Sequence, residues 1–68
     1  MLVLGIDSAT TACSAAILRD GDVLAHEFVE MARGQAEALV PMIARVLEAA
    51  SSSAIELDLI AVTVGPGA

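Results

Sequence analysis

The chain has 68 residues, 57% of them hydrophobic, and carries a formal net charge of −6. Arg19, Arg33 and Arg45 are its only basic side chains apart from the single His26, so no basic patch exists to neutralise phosphates, and this piece is expected not to bind nucleic acid directly. No apolar run approaches the roughly 18 residues of a membrane span, and Cys13, the single cysteine, permits neither an internal disulfide nor a cysteine zinc cluster.

Residues 2–7 form a near-continuous apolar run ending in Asp7-Ser8, the pattern of a strand buried on both faces. A loop follows, and residues 12–19 predict a second strand of small and β-branched side chains. Asp20-Gly21 lies between two strand-like runs, and that pair favours the tight hairpin in which both central residues take positive φ. Residues 23–31 predict the third strand, which completes an antiparallel meander. Arg33-Gly34 breaks the pattern, and a helix is predicted over residues 35–50. At the helical pitch, Met42, Val46, Leu39, Ile43, Leu47 and Val40 sweep roughly 160° of its circumference, with Glu37, Arg45 and Glu48 on the other side. Such a stripe is wide for a helix lying only on a sheet, and predicts a second contact from a partner or from further chain. Pro41 lacks a backbone donor, so the helix is expected to start late or to bend there. Ser51-Ser52-Ser53 is a short link, and residues 57–64 predict a fourth strand that runs into Gly65-Pro66-Gly67.

A helix between the third and fourth strands lets the fourth return parallel to the first. The predicted architecture is α/β with sheet order 3-2-1-4 and the helix on one face. The carboxyl ends of the first and fourth strands then meet where the chain departs in opposite directions, the place where open α/β sheets tend to hold ligands. Asp7, Ser8, Thr10 and Thr11 reach it from one loop, and Gly65, Pro66 and Gly67 from the other. A carboxylate and hydroxyls there suit a hydrated cation or phosphate, and equally suit ordinary turn chemistry. The glycines do not form a P-loop, because the Gly-Lys-Ser/Thr end is missing. His26 reads as a structural or surface residue and Cys13 as a buried strand residue. No nucleophile–base pair and no metal-ligand set appears in the chain, which argues against a peptidase.

Four stretches carry a resemblance: Leu4-Gly5-Ile6-Asp7-Ser8-Ala9-Thr10, then Cys13-Ser14-Ala15-Ala16-Ile17, then the segment from Arg33-Gly34-Gln35 through Leu39-Val40-Pro41-Met42-Ile43, and finally Ala61-Val62-Thr63-Val64-Gly65-Pro66-Gly67. In order and spacing they resemble the N-terminal part of the TsaB (YeaZ) family. The resemblance implies an actin-like, ribonuclease H-like fold, of which residues 1–68 are the incomplete N-terminal part of a single domain. It implies a cytoplasmic, non-catalytic partner of the TsaD threonylcarbamoyltransferase, which forms threonylcarbamoyladenosine on tRNA. A TsaE-like protein and a homodimer are further implied partners, with ATP and Mg²⁺ entering at the level of the complex and no cofactor required by this piece. The first helix is the implied interface, through Leu39, Val40, Ile43 and Leu47. Gln35 stands where many members have His, and Ala68 where many have Ser. The competing expectation is an ATP-binding actin-like enzyme, a TsaD-like transferase or a sugar kinase, with Asp7, Ser8, Thr10, Thr11, Gly65 and Gly67 at the nucleotide. Against it, the first loop reads Asp-Ser-Ala-Thr-Thr, not the Asp-x-Gly-Thr common in such kinases.

Overall fold

The computed structural model describes residues 1–9, 11–31 and 34–64. Strands β1 (Leu2–Ser8), β2 (Ala12–Arg19) and β3 (Asp22–Glu30) precede helix α1 (Gln35–Ala49), a single 3₁₀ turn (Ala54–Glu56) and strand β4 (Leu59–Val64). The four strands form one sheet in the order β3-β2-β1-β4. The β1–β2 and β2–β3 pairs are antiparallel and β1–β4 is parallel, as the sequence pattern predicts.

The β2–β3 turn is built as Asp-Gly requires: Asp20 has φ 52° and Gly21 φ 88°. Just beyond it the ladder slips. Ile17 pairs with Ala25 but Leu18 pairs with Val23, so Leu24 is an extra residue on β3. A bulge of this kind bends the strand and raises its twist, and nothing in the composition of the segment announces it.

Side chains alternate across the sheet. One face carries Leu2, Leu4 and Ile6 from β1, Cys13, Ala15 and Ile17 from β2, and Ala25 and Val29 from β3, all in register. Helix α1 covers this face over β2 and β3. Met42 and Val46 press into it and are buried together with Leu2, Leu4, Cys13, Ala15 and Ile17. The small side chains of Cys13 and Ala15 let the helix approach closely, and each large apolar side chain removed from water here contributes about 1.5–3 kcal/mol.

The helix runs unbroken through Pro41, because only one backbone bond is lost and the proline lies on the exposed side. At its end Ser51 takes φ 54°, its N–H bonds the Glu48 carbonyl at 3.0 Å and the Ser52 N–H bonds the Leu47 carbonyl at 2.9 Å. This is the double hydrogen bond of a Schellman termination, with serine in the position that glycine usually takes. The fourth strand starts two residues later than its apolar pattern suggests. Ser53 and Glu56 cap the 3₁₀ turn reciprocally, and Asp58 is drawn to the start of β1 instead: its carboxylate accepts the Leu2 N–H at 2.6 Å and its N–H donates to the Leu2 carbonyl at 2.8 Å.

Candidate functional site

Two surfaces among the described residues contain the residues predicted to carry function. The first is the sheet face away from α1. Its middle row, His26–Ala16–Gly5–Ala61 across the four strands, carries almost no side-chain bulk on the inner two strands. The result is a depression of about 310 Å³ lined by Gly5, Asp7, Ser14, Ala16, His26, Ala61 and Thr63, with Ile6. No lysine or arginine lines it.

Asp7 closes one end of that depression. Parallel register sets it against Thr63 on β4, and the Thr63 hydroxyl donates to Asp7 Oδ1 at 2.8 Å. Ser8, its neighbour in sequence, is a strand residue paired with Cys13 and so belongs to the opposite, helix-covered face. Thr11 is exposed beyond the strand end, and its carbonyl accepts the Met31 N–H at 2.7 Å. Of the sequence-predicted switch-point residues, Asp7 and Ser8 are therefore separated by the sheet. Thr10, Gly65 and Gly67 lie outside the described residues. Thr63 was not singled out from the sequence; the signal for it is its place opposite Asp7 in a parallel pair, which needs the register. Among the described residues no group of three or more His, Cys, Asp or Glu side chains could hold a metal ion.

The second surface is the outward flank of α1. Leu39, Ile43 and Leu47 are half-buried and pack against the core, whereas Val40 is 72% exposed. The four residues of the predicted interface thus divide into three that hold the helix on the sheet and one that faces solvent. On the other flank Arg45 grips Glu27 of β3, with Nε 2.9 Å from Oε2 and Nη2 2.7 Å from Oε1. That guanidinium holds the Glu27 carboxyl below the ordinary carboxylate range and is itself raised in return. Since this pair lies over β3, the Val40 flank looks toward the β4 side. There Ile60 and Val62, on the helix-covered face of β4, are 56% and 57% exposed. Val40, Ile60 and Val62 mark apolar surface that the described residues leave uncovered. No helix among the described residues is long and apolar enough to cross a membrane.

Comparison with known proteins agrees with this architecture. The family model described as "TsaD: tRNA N6-adenosine threonylcarbamoyltransferase" matches residues 23–68, from the β2–β3 hairpin onward. The tRNA threonylcarbamoyladenosine biosynthesis protein TsaB of Escherichia coli is 37% identical over 98% of this chain, which spans 29% of that protein. Among solved structures, YeaZ from Pseudomonas aeruginosa superposes with a TM-score of 0.86 at 36% identity, over 98% of this chain and 31% of its own. Component A of the (R)-2-hydroxyglutaryl-CoA dehydratase of Acidaminococcus fermentans follows with a TM-score of 0.78 at 28% identity, over 94% of this chain and 25% of that one. The chain thus spans less than a third of the relatives it matches. With a family model matched over more than half its residues and with these likenesses to TsaB and YeaZ, the chain belongs to the family described as TsaD: tRNA N6-adenosine threonylcarbamoyltransferase, on its TsaB (YeaZ) side.

Proposed function

We propose that the protein carrying this chain acts in the cytoplasm in the biosynthesis of threonylcarbamoyladenosine on tRNA, as a non-catalytic partner of a TsaD-type transferase. The observation that carries the reading is the 37% identity to TsaB across nearly the whole chain. At the switch point the Asp7 carboxylate accepts a hydrogen bond from the Thr63 hydroxyl. The flank of α1 around Val40 supplies the docking surface in this reading, with Leu39, Ile43 and Leu47 setting its height above the sheet. A TsaE-like protein and ATP with Mg²⁺ enter at the level of the complex, and a homodimer is the competing use of the same flank.

Reconstitution tests this. Transfer of the threonylcarbamoyl group to tRNA adenosine by the TsaD-type protein of the same organism should stop when this protein is omitted, and this protein alone should transfer nothing. Transfer that proceeds equally without it would contradict the partner role.

A second reading, an ATP-binding actin-like enzyme, draws on Asp7 at the carboxyl end of β1, where its side chain is exposed. Calorimetry with ATP·Mg²⁺ separates the two: tight binding that Asp7→Ala abolishes would favour the enzyme.

A further inference from the structure

Strand β3 is the outer strand of the sheet, with β2 on one side and no strand on the other among the described residues. The backbone groups on that outer side are a template for strand addition. Residues 23–29 read Val-Leu-Ala-His-Glu-Phe-Val, with neither proline nor glycine and with Glu27 the only acidic side chain, a composition that favours strand association. Val23, Leu24 and Phe28 are exposed, so an added strand would find apolar side chains to pair with as well. Two features of β3 work against this.

The first is the bulge. In an antiparallel ladder alternate residues turn their N–H and C=O toward one neighbouring strand, and the residues between turn theirs the other way. Leu24 is one residue too many between Val23, opposite Leu18, and Ala25, opposite Ile17. The alternation changes phase there, so the outward groups of residues 22–23 and of residues 25–30 cannot both meet one straight incoming strand. The second is Glu27. It stands opposite Ala15 on the helix-covered face, between the partly buried Ala25 and Val29. Arg45 of α1 reaches it with contacts of 2.7, 2.9 and 3.0 Å to the two carboxylate oxygens. A strand laid against residues 25–30 would set a side chain beside this ion pair and take water from it, which costs free energy unless the newcomer supplies hydrogen bonds.

We propose that the Leu24 bulge and the Glu27–Arg45 pair together guard the outer edge of β3 against strand addition by a second copy of the chain. The bulge confines any added ladder to residues 25–30, and Glu27 stands in the middle of that run. The guard is independent of the partner reading of α1. Deleting Leu24 isolates the bulge, because Val23 already shares a face with Leu18, and Ala25 with Ile17. Removal of the extra residue restores regular alternation and turns no other side chain of β3 to the opposite face.

The test uses the full-length protein carrying this chain. Hydrogen exchange on the parental protein should find the outward amides of residues 25–30 exchanging at least about a hundredfold faster than those bonded to β2. Outward amides as protected as the inward ones would overturn the proposal, since the edge is then already covered. Sedimentation then compares the parent with the Leu24 deletion, with Glu27→Val and with the two combined. The combined variant is expected to self-associate at least about tenfold more strongly than the parent, with the outward amides of β3 becoming protected in the associated species. Each single change should give a smaller rise. A combined variant with the parental circular dichroism spectrum and the parental sedimentation overturns the guard, and so does association in which the outward amides still exchange freely. Should the deletion fail to fold, Glu27→Val with Arg45→Met replaces it and carries the same expectation over residues 25–30.

Discussion

Single residues decide the turns and strand ends that set the scaffold. Gly21 sits at φ 88° in the hairpin turn, and an alanine there is strained, so Gly21→Ala is expected to lower the unfolding free energy by about 1 kcal/mol in denaturant titration. Ser51 is the opposite case. It holds φ 54° at the helix end, and Ser51→Gly removes the penalty on its side chain, with an expected gain of about 0.5–1 kcal/mol. Asp58 reaches back to the Leu2 amide; Asp58→Ala leaves that partly buried donor unpaired and is expected to cost about 1–3 kcal/mol. The sequence discloses these three residues unequally. Asp-Gly announces its turn because few other pairs accept two positive φ angles. Serine in a left-handed termination has no such signature, since its neighbours are serines too, and Asp58 shows its role only once β1 and β4 are neighbours.

At the scale of elements, α1 governs the account. Its apolar stripe is legible from spacing, and the buried pair Met42 and Val46 is its centre. What spacing does not show is the division between packing and free surface. Leu39, Ile43 and Leu47 reach the core because the small side chains of β2 bring the helix low, and Val40 is left out by its position around the helix. A charge placed at Ile43 would therefore damage the fold, whereas one at Val40 tests docking alone. Met42→Ala, at a fully buried site, is expected to lose about 2–5 kcal/mol of stability. The Glu27–Arg45 pair makes a pH prediction. Its lowered Glu27 pKa adds stability that is complete above the ordinary value of 4.5 and is lost as the pH falls through the lowered folded-state value. Arg45→Met should remove that part of the acid dependence in unfolding curves taken across this range. Pro41, expected from sequence to delay or bend the helix, does not delay it: α1 starts at Gln35 and continues through the proline, which lies on the exposed side.

For the whole molecule, the sheet order and the parallel β1–β4 pair were readable because the chain offers three short strands, one long amphipathic helix and a fourth strand, and few topologies accommodate that order. The candidate site was less readable. Asp7 and Ser8 adjoin in sequence but belong to opposite faces, and the depression along Gly5, Ala16 and Ala61 exists only as a cross-strand row. Period-two alternation predicts which residues share a face within one strand, and says nothing of which rows align between strands until the register is known. The near-continuous apolar run of β1 reads as a strand covered on both sides, yet among the described residues only its Leu2 and Leu4 side is buried, in the cluster with Met42 and Val46. The apolar surface left on β4 and on the Val40 flank is what the docking account explains. Its most direct test is a photo-reactive amino acid placed at position 40 of the protein carrying this chain, mixed with the TsaD-type protein and irradiated. A cross-link between the two from position 40, and none from exposed Ile55 on the 3₁₀ turn, is the predicted result. No cross-link from position 40 in a mixture that demonstrably forms the complex would contradict it.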